Sequence, residues 1–265
     1  MCIRDRSGGG GNDRLNGGAG MDFLEGGAGN DVLADTAGPG YFNGGTGNDS
    51  LRGDGAADFY VGGAGNDNIN TSTGTDVIVF NRGDGQDTVA ASTDADNVLS
   101  LGGGIAYADL SLRKSGNHLV LDIGVSDSIK LANWYAAPEN RSVLRLQVIA
   151  EAMADFEANG SDPLRDNRVE TFDFTGLADA FDATRAANPG LTSWAITNAL
   201  TQFHLSGSDT EALGGDLAWQ YGRNGTLAGI GVNAAQEVLG DVQFGVQAQQ
   251  LRPLAGLQEG AVRLG

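Results

Sequence analysis

Eight blocks of nine residues run in a single phase from Gly8 to Val79. They read GGGGNDRLN, GGAGMDFLE, GGAGNDVLA, DTAGPGYFN, GGTGNDSLR, GDGAADFYV, GGAGNDNIN and TSTGTDVIV. The shared pattern is G-G-x-G-x-D-x-U-x, with U apolar. Position eight holds Leu15, Leu24, Leu33, Phe42, Leu51, Tyr60, Ile69 and Ile78, apolar in every block. Position six holds Asp13, Asp22, Asp31, Gly40, Asp49, Asp58, Asp67 and Asp76. Seven of the eight blocks therefore read as a glycine-rich turn with Asp at position six, followed by a very short strand with one inward apolar residue. A disordered Gly/Asn/Asp linker shares this composition, but low complexity alone does not keep an apolar residue at every ninth position.

These residues resemble the RTX, or haemolysin-type calcium-binding, repeat. The resemblance implies a mainly β chain that opens with a parallel β-roll, a calcium-binding solenoid. Two blocks make one coil of eighteen residues, so two sheets face each other with strands ~4.8 Å apart. Glycine is expected because the turn visits positive φ, and Asn at position five tolerates the same region. Blocks two apart stack, which sorts the turns onto two edges. The first edge carries Asp13, Asp31, Asp49 and Asp67, and all four of its turns read GGxGND. Calcium takes oxygen ligands from carboxylates and backbone carbonyls, so the expected ligands are these four Asp with Gly9, Gly11, Gly27, Gly29, Gly45, Gly47, Gly63 and Gly65. Four turns leave three gaps. The second edge carries Asp22, Gly40, Asp58 and Asp76, with one intact turn. Asp22, Asp58 and Asp76 are expected to bind there more weakly.

Residues 8–79 hold ten acidic and two basic side chains. Stacked carboxylates ~5 Å apart repel by about 0.8 kcal/mol per pair even in water. One apolar residue per block buries little surface. The coil is thus expected to be unfolded without metal and folded with it, binding free energy being folding free energy here. Extracellular calcium modules have dissociation constants of ~0.1–1 mM. At ~1 mM calcium and the tighter value, each site adds about 1.4 kcal/mol.

The formal net charge of −18 repels nucleic acid and anionic membranes and attracts cations. No apolar run reaches the ~20 residues needed to span a bilayer. The opening MCIRDRS has no apolar central region and is no signal peptide. It bears no relation to the repeat, and residues 1–7 read as a non-native head with the native protein continuing upstream. Cys2, the single cysteine, lies there.

Residues 80–150 are expected to form a small β domain capping the open end of the coil, since solenoids need a cap. FNRGDGQDTV (80–89) is a second acidic glycine turn, in which Asp84 and Asp87 either hold metal or form a tight polar turn. Leu110, Leu112, Leu119, Leu121, Ile123, Ile129 and Leu131 then alternate at period two. Gly104, Ile105, Asp109, Leu110, Asp127, Ile129, Asn133 and Trp134 resemble the small β domain that often follows RTX repeats. Residues 151–265 read as a mostly helical C-terminal region, with TFDF (171–174) as a short strand and helices over 177–188, 193–205 and 210–222. Ser193 and Asn233 are candidate N-caps.

No H-E-x-x-H helix or G-x-S-x-G elbow is present. His118 and His204 read as surface or capping residues, so no catalytic residue is assigned. The resemblance implies the C-terminal secretion and stability module of a large secreted or cell-surface protein, toxin- or adhesin-like, which folds on calcium after export. Its partner would be a type I secretion apparatus reading a signal within 136–265. The alternative is the non-catalytic remainder of a secreted hydrolase, a metalloprotease or lipase.

Overall fold

The computed structural model describes residues 3–93, 96–260 and 262–265. Met1 and Cys2 lie outside them. Two nine-stranded sheets dominate. The first contains β1 (Ile3–Gly10), β3 (Met21–Ala28), β5 (Gly40–Thr46), β7 (Phe59–Ala64), β9 (Val77–Phe80), β11 (Asn97–Leu101), β15 (Val143–Val148), β16 (Val169–Asp173) and β18 (His204–Ser208), adjacent in that order. The second runs β2 (Arg14–Asn16), β4 (Val32–Ala34), β6 (Ser50–Arg52), β8 (Asn68–Asn70), β10 (Gln86–Val89), β14 (Asp127–Leu131), β13 (His118–Ile123), β12 (Leu110–Ser115) and β17 (Trp194–Ala195).

Through the repeats every pairing is parallel, and residue i faces i+18: Leu15 pairs with Leu33, Leu33 with Leu51 and Leu24 with Phe42. The eighteen-residue coil is therefore real. The register extends upstream through residues 3–7, where Ile3 pairs with Met21 and Arg6 with Leu24. Position-eight side chains meet between the sheets. Leu24, Leu33, Phe42, Leu51, Tyr60, Ile69 and Ile78 are buried, and Leu15 is half-buried. Phe42 and Tyr60 stack with ring centroids 4.9 Å apart.

Both sheets continue past the repeats, and each changes from parallel to antiparallel pairing. In the first, β11 joins β15 in parallel and β15 joins β16 antiparallel. In the second, β10 joins β14 in parallel and β14 joins β13 antiparallel. The interior runs on without a break into Leu110, Leu121, Ile129, Trp134 and Phe172. Helix α1 (Phe174–Ala187) closes it with Leu177 and Phe181. Asp173 caps α1 by accepting from the Gly176 N–H at 2.9 Å.

The outer face of the first sheet is also apolar. Phe23, Tyr41, Phe59 and Val77 occupy position seven of the even blocks and form a ladder, with Phe23–Tyr41 and Tyr41–Phe59 centroids 5.8 and 6.0 Å apart. The same position in blocks one, five and seven is Arg14, Ser50 and Asn68. An uncovered aromatic ladder would be an association site. Here α3 (Gly215–Asn224) and α4 (Val232–Leu239) cover it, through Leu217, Ala218, Tyr221, Val238 and Leu239.

The C-terminal elements depart from the helices expected for 193–205. That stretch divides into β17, a 3-10 turn, the four-residue α2 (Leu200–Phe203) and β18, which pairs with β16. Branched Thr197 and Thr201 weaken a helix, and the free edge of β16 offers hydrogen bonds that a helix would forgo. Ser193 caps no helix; its hydroxyl donates to the Ser111 hydroxyl. Asn233 lies inside α4, whose N-cap is Gly231. Short β19 (Glu211–Ala212) and β20 (Gln249–Gln250) pair with each other, and α5 (Leu254–Leu257) follows.

Phe59 is fully buried between the roll and α3/α4. Phe59→Ala is expected to cost about 3–5 kcal/mol, read as a lowered urea midpoint in calcium-saturated buffer. A shift under about 0.5 kcal/mol, the range of ordinary surface substitutions, would show that the helical cover is not packed on the ladder.

Candidate metal centre

The first edge is a column of carboxylates joined by backbone hydrogen bonds. The Asp13 N–H donates to Asp31 Oδ1 at 2.7 Å, Asp31 to Asp49 at 2.7 Å, and Asp49 to Asp67 at 2.8 Å. The column has a further rung: the Asp67 N–H donates to Asp87 Oδ1 at 2.9 Å, across twenty residues instead of eighteen. Five rungs leave four gaps, one more than the nonapeptides alone supply. Asp84 does something else. Its Oδ2 accepts from the Asn81 N–H at 2.7 Å, closing its own turn, and from the Tyr221 hydroxyl at 3.3 Å.

A second ladder runs beside the first. The amide oxygens of Asn12, Asn30, Asn48 and Asn66 accept the N–H of Asn30, Asn48, Asn66 and Gln86 at 2.7–3.0 Å. None of these Asn is left-handed. The position-five Asn thus serves intercoil bonding, not the positive φ expected for it.

Glycines at positions two and four do carry the strained backbone. Gly45 and Gly47 have φ of +99° and +121°, and a Cβ on either would run into the carbonyl oxygens of Gly27 and Gly29 in the coil before. Position one contributes differently. A carbon built at the Cβ position of Gly8 would lie 2.7 Å from both Asp13 Oδ2 and the Gly26 carbonyl oxygen. The same cradle recurs with Gly26 between Asp31 Oδ2 and the Gly44 oxygen, and with Gly44 between Asp49 Oδ2 and the Gly62 oxygen. The carbonyls of Gly26, Gly44 and Gly62 thus lie beside the carboxylates of Asp13, Asp31 and Asp49. Only their stacking in three dimensions reveals this.

The Oδ2 atoms of Asp13, Asp31, Asp49 and Asp67 are buried and have no hydrogen-bond partner among the described residues. A buried carboxylate oxygen without a partner is costly. Carboxylate and carbonyl oxygens side by side are what a hard cation such as calcium takes. No three His, Cys, Asp or Glu side chains among the described residues converge on one point, so a cation here needs the carbonyls as well. The residues fit calcium.

The second edge is joined in the same way and ties up more of its carboxylate oxygens, although Asp76 Oδ2 is buried with no hydrogen-bond partner among the described residues. The Gly40 N–H donates to Asp58 Oδ1 at 2.7 Å, Asp58 to Asp76 at 2.8 Å, and Asp76 to Asn97 at 3.1 Å. Asp58 Oδ2 accepts from the Tyr60 hydroxyl at 3.1 Å. Neither histidine takes part in either column. His118 Nδ1 accepts the Asn133 N–H at 2.9 Å, and His204 Nε2 lies 2.7 Å from Oε2 of buried Glu170.

Residues 7–34, 36–69 and 53–89 match the model of the RTX calcium-binding nonapeptide repeat (4 copies). No curated protein matches the chain. With the parallel solenoid on the page, the match shows that residues 7–34 and 36–89 are RTX calcium-binding nonapeptide repeats, which bind calcium and form a non-catalytic structural module.

Burial pushes the Asp67 carboxyl up to about 7, and Asp87 and Asp58 up to about 8. Burial, with the Asp58 charge next, raises Asp76 well above the carboxylate range. Each value lies above the ~3.9 of an unfolded Asp. The metal-free fold therefore holds protons that the unfolded chain releases, so the stability these groups contribute is fullest below about pH 4 and is lost as pH rises through about 7 to 8. In chelator, far-UV circular dichroism should show more β structure at about pH 5 than at about pH 8. Equal spectra, or the reverse order, would contradict the buried carboxylates as the cause.

Proposed function

We propose that this chain is the calcium-folded C-terminal module of a large exported bacterial protein, toxin- or adhesin-like, serving secretion and stability outside the cell. The observation that carries the reading is the column of Asp13, Asp31, Asp49 and Asp67, each with one buried carboxylate oxygen that has no hydrogen-bond partner among the described residues. Such a column resists closing until a cation enters it. At sub-micromolar calcium the gain from binding vanishes, whereas three sites at ~1 mM calcium and a ~0.1 mM dissociation constant add ~4 kcal/mol. That is close to the stability of a small domain. A chain kept unfolded inside the cell can thread a narrow conduit, then fold outside and be held there. Among the described residues no helix is long and apolar enough to cross a membrane, which is compatible with this reading.

Two measurements test it. Adding ~5 mM calcium to chelated protein should convert a coil spectrum to a β spectrum. Equal magnesium should do little, because it demands octahedral geometry at ~2.0–2.1 Å and dehydrates reluctantly. A full β spectrum in chelator at neutral pH would sink the calcium-folding step. For export, the whole chain is fused behind a passenger in a bacterium carrying a type I apparatus, with and without 136–265. Passenger in the medium only when 136–265 is present supports the signal. Passenger retained in both cases, while a known signal exports it from the same cells, would restrict the module to stability.

A further inference from the structure

The edge of the roll that lost its repeat pattern has kept a cradle, formed by a residue outside that pattern. Position six of the fourth block is Gly40 and supplies no carboxylate. It has no room for one, since a Cβ there would lie 2.6 Å from a ring carbon of Phe42. The same block carries an acid at position one, where the pattern has glycine: Asp35. The matched repeat segments stop at 34 and resume at 36, leaving Asp35 between them.

Asp35 sits where the first edge places a glycine carbonyl. At Gly8 a built Cβ lies 2.7 Å from Asp13 Oδ2 and 2.7 Å from the Gly26 carbonyl oxygen of the next coil. At Gly17, the equivalent position of the second edge, a built Cβ lies 2.9 Å from Asp22 Oδ2 and 2.7 Å from Asp35 Oδ1 of the next coil. The two cradles are alike in position, but the second pairs a carboxylate with a carboxylate, and its Asp35 oxygen is the one that also accepts the Thr36 N–H. Asp35 is only 4 % exposed. Its Oδ1 accepts the Thr36 N–H at 2.7 Å, and its Oδ2 has no hydrogen-bond partner among the described residues. The Thr36 hydroxyl donates to the Gly18 carbonyl at 2.7 Å, tying turn 35–36 to turn 17–18 and holding Asp35 in place. Arg14, Arg52 and Asp54 line the shallow pocket beside it, yet neither Arg forms an ion pair with Asp35 among the described residues. Asp54 closes its own turns, accepting from Ala56 and Gly38 N–H groups at 2.7 and 3.0 Å.

We propose that Asp22 and Asp35 together bind a divalent hard cation, calcium in an extracellular medium, at a site that the nonapeptide pattern does not encode. It rests on the reading of the repeats as calcium-binding, but on different residues. Moving the acid from position six to position one restores the second carboxylate that the Asp22–Gly40 gap lacks.

The test uses the whole chain and calcium itself. Bound calcium is counted by equilibrium dialysis at ~10 mM, about tenfold above the ~1 mM upper end expected for extracellular sites, for the wild type, Asp35→Gly, Asp35→Asn and Asp31→Asn. Glycine is what Gly17 and Gly53 already supply at this position, so Asp35→Gly should keep the fold. Both Asp35 variants are expected to lose one equivalent while the circular dichroism of the loaded protein is unchanged. Their melting temperature should also climb less steeply with calcium concentration, since that slope follows the ions taken up. Loss of calcium in Asp31→Asn, with full equivalents and an unchanged slope in both Asp35 variants, would overturn the proposal and leave the repeat sites standing. A wild type that binds no calcium would overturn both.

Discussion

The fold depends on how one buried carboxylate per coil is accommodated. In Asp31, Asp49 and Asp67, one carboxylate oxygen accepts the backbone N–H of the preceding coil and locks the eighteen-residue register. The other oxygen of Asp13, Asp31 and Asp49 faces a glycine carbonyl of the following coil. The first oxygen makes the stack regular; the second makes it conditional. Two oxygens with no proton between them repel in a low-dielectric turn, so the geometry that aligns the coils also requires a positive charge. The raised carboxyls of Asp67 and Asp87, caused first by burial, show the same condition from the side of the proton. A proton can satisfy the column one carboxylate at a time, whereas a divalent cation satisfies two coils at once.

The second constraint concerns what covers the roll. Its interior holds one apolar residue per block, which is thin for a solenoid of this length. The first sheet compensates by being apolar on both faces, with Phe23, Tyr41 and Phe59 stacked outside and Leu24, Phe42 and Tyr60 inside. A sheet buried on both faces needs layers on both sides. The second sheet is one layer. The other is built from residues 213–264, including α3 and α4.

Much of this was legible in the sequence. The nine-residue period gave the coil length, the inward position and the membership of each edge, because spacing alone determines those. The alternation of Leu110, Leu112, Leu119 and Leu121 marks the inward positions of β12 and β13, in which Leu112 pairs with Leu121. What stayed hidden depends on proximity between distant segments. Asp87 joins the column through a twenty-residue step that breaks the period. The Gly26 and Gly44 carbonyls gain their place only when coils stack. The helix expected over 193–205 failed because the edge of β16 competes for the same backbone. One signal does lie in the repeats: position seven is aromatic or Val in every even block but polar in blocks one, five and seven, so the outward face of the first sheet is the more apolar. That bias marks a face awaiting cover, and the cover is the helical region whose role the sequence left open.

These constraints meet at the turn 81–87. Asp87 ends the carboxylate column, and Asp127 of β14 accepts the Gly83 N–H at 2.8 Å. Asn81 Nδ2 donates to the Tyr221 carbonyl at 2.9 Å, while the Tyr221 hydroxyl donates to Asp84. One short turn therefore touches the repeats, the antiparallel extension and α3. The helices over the first sheet need the aromatic ladder in register, and the ladder is in register only when successive coils are. Order in the C-terminal half thus follows from order in the repeats. Calcium bound to the first edge acts beyond the carboxylates it touches, because the surface on which α3 and α4 pack does not exist until the coils have stacked.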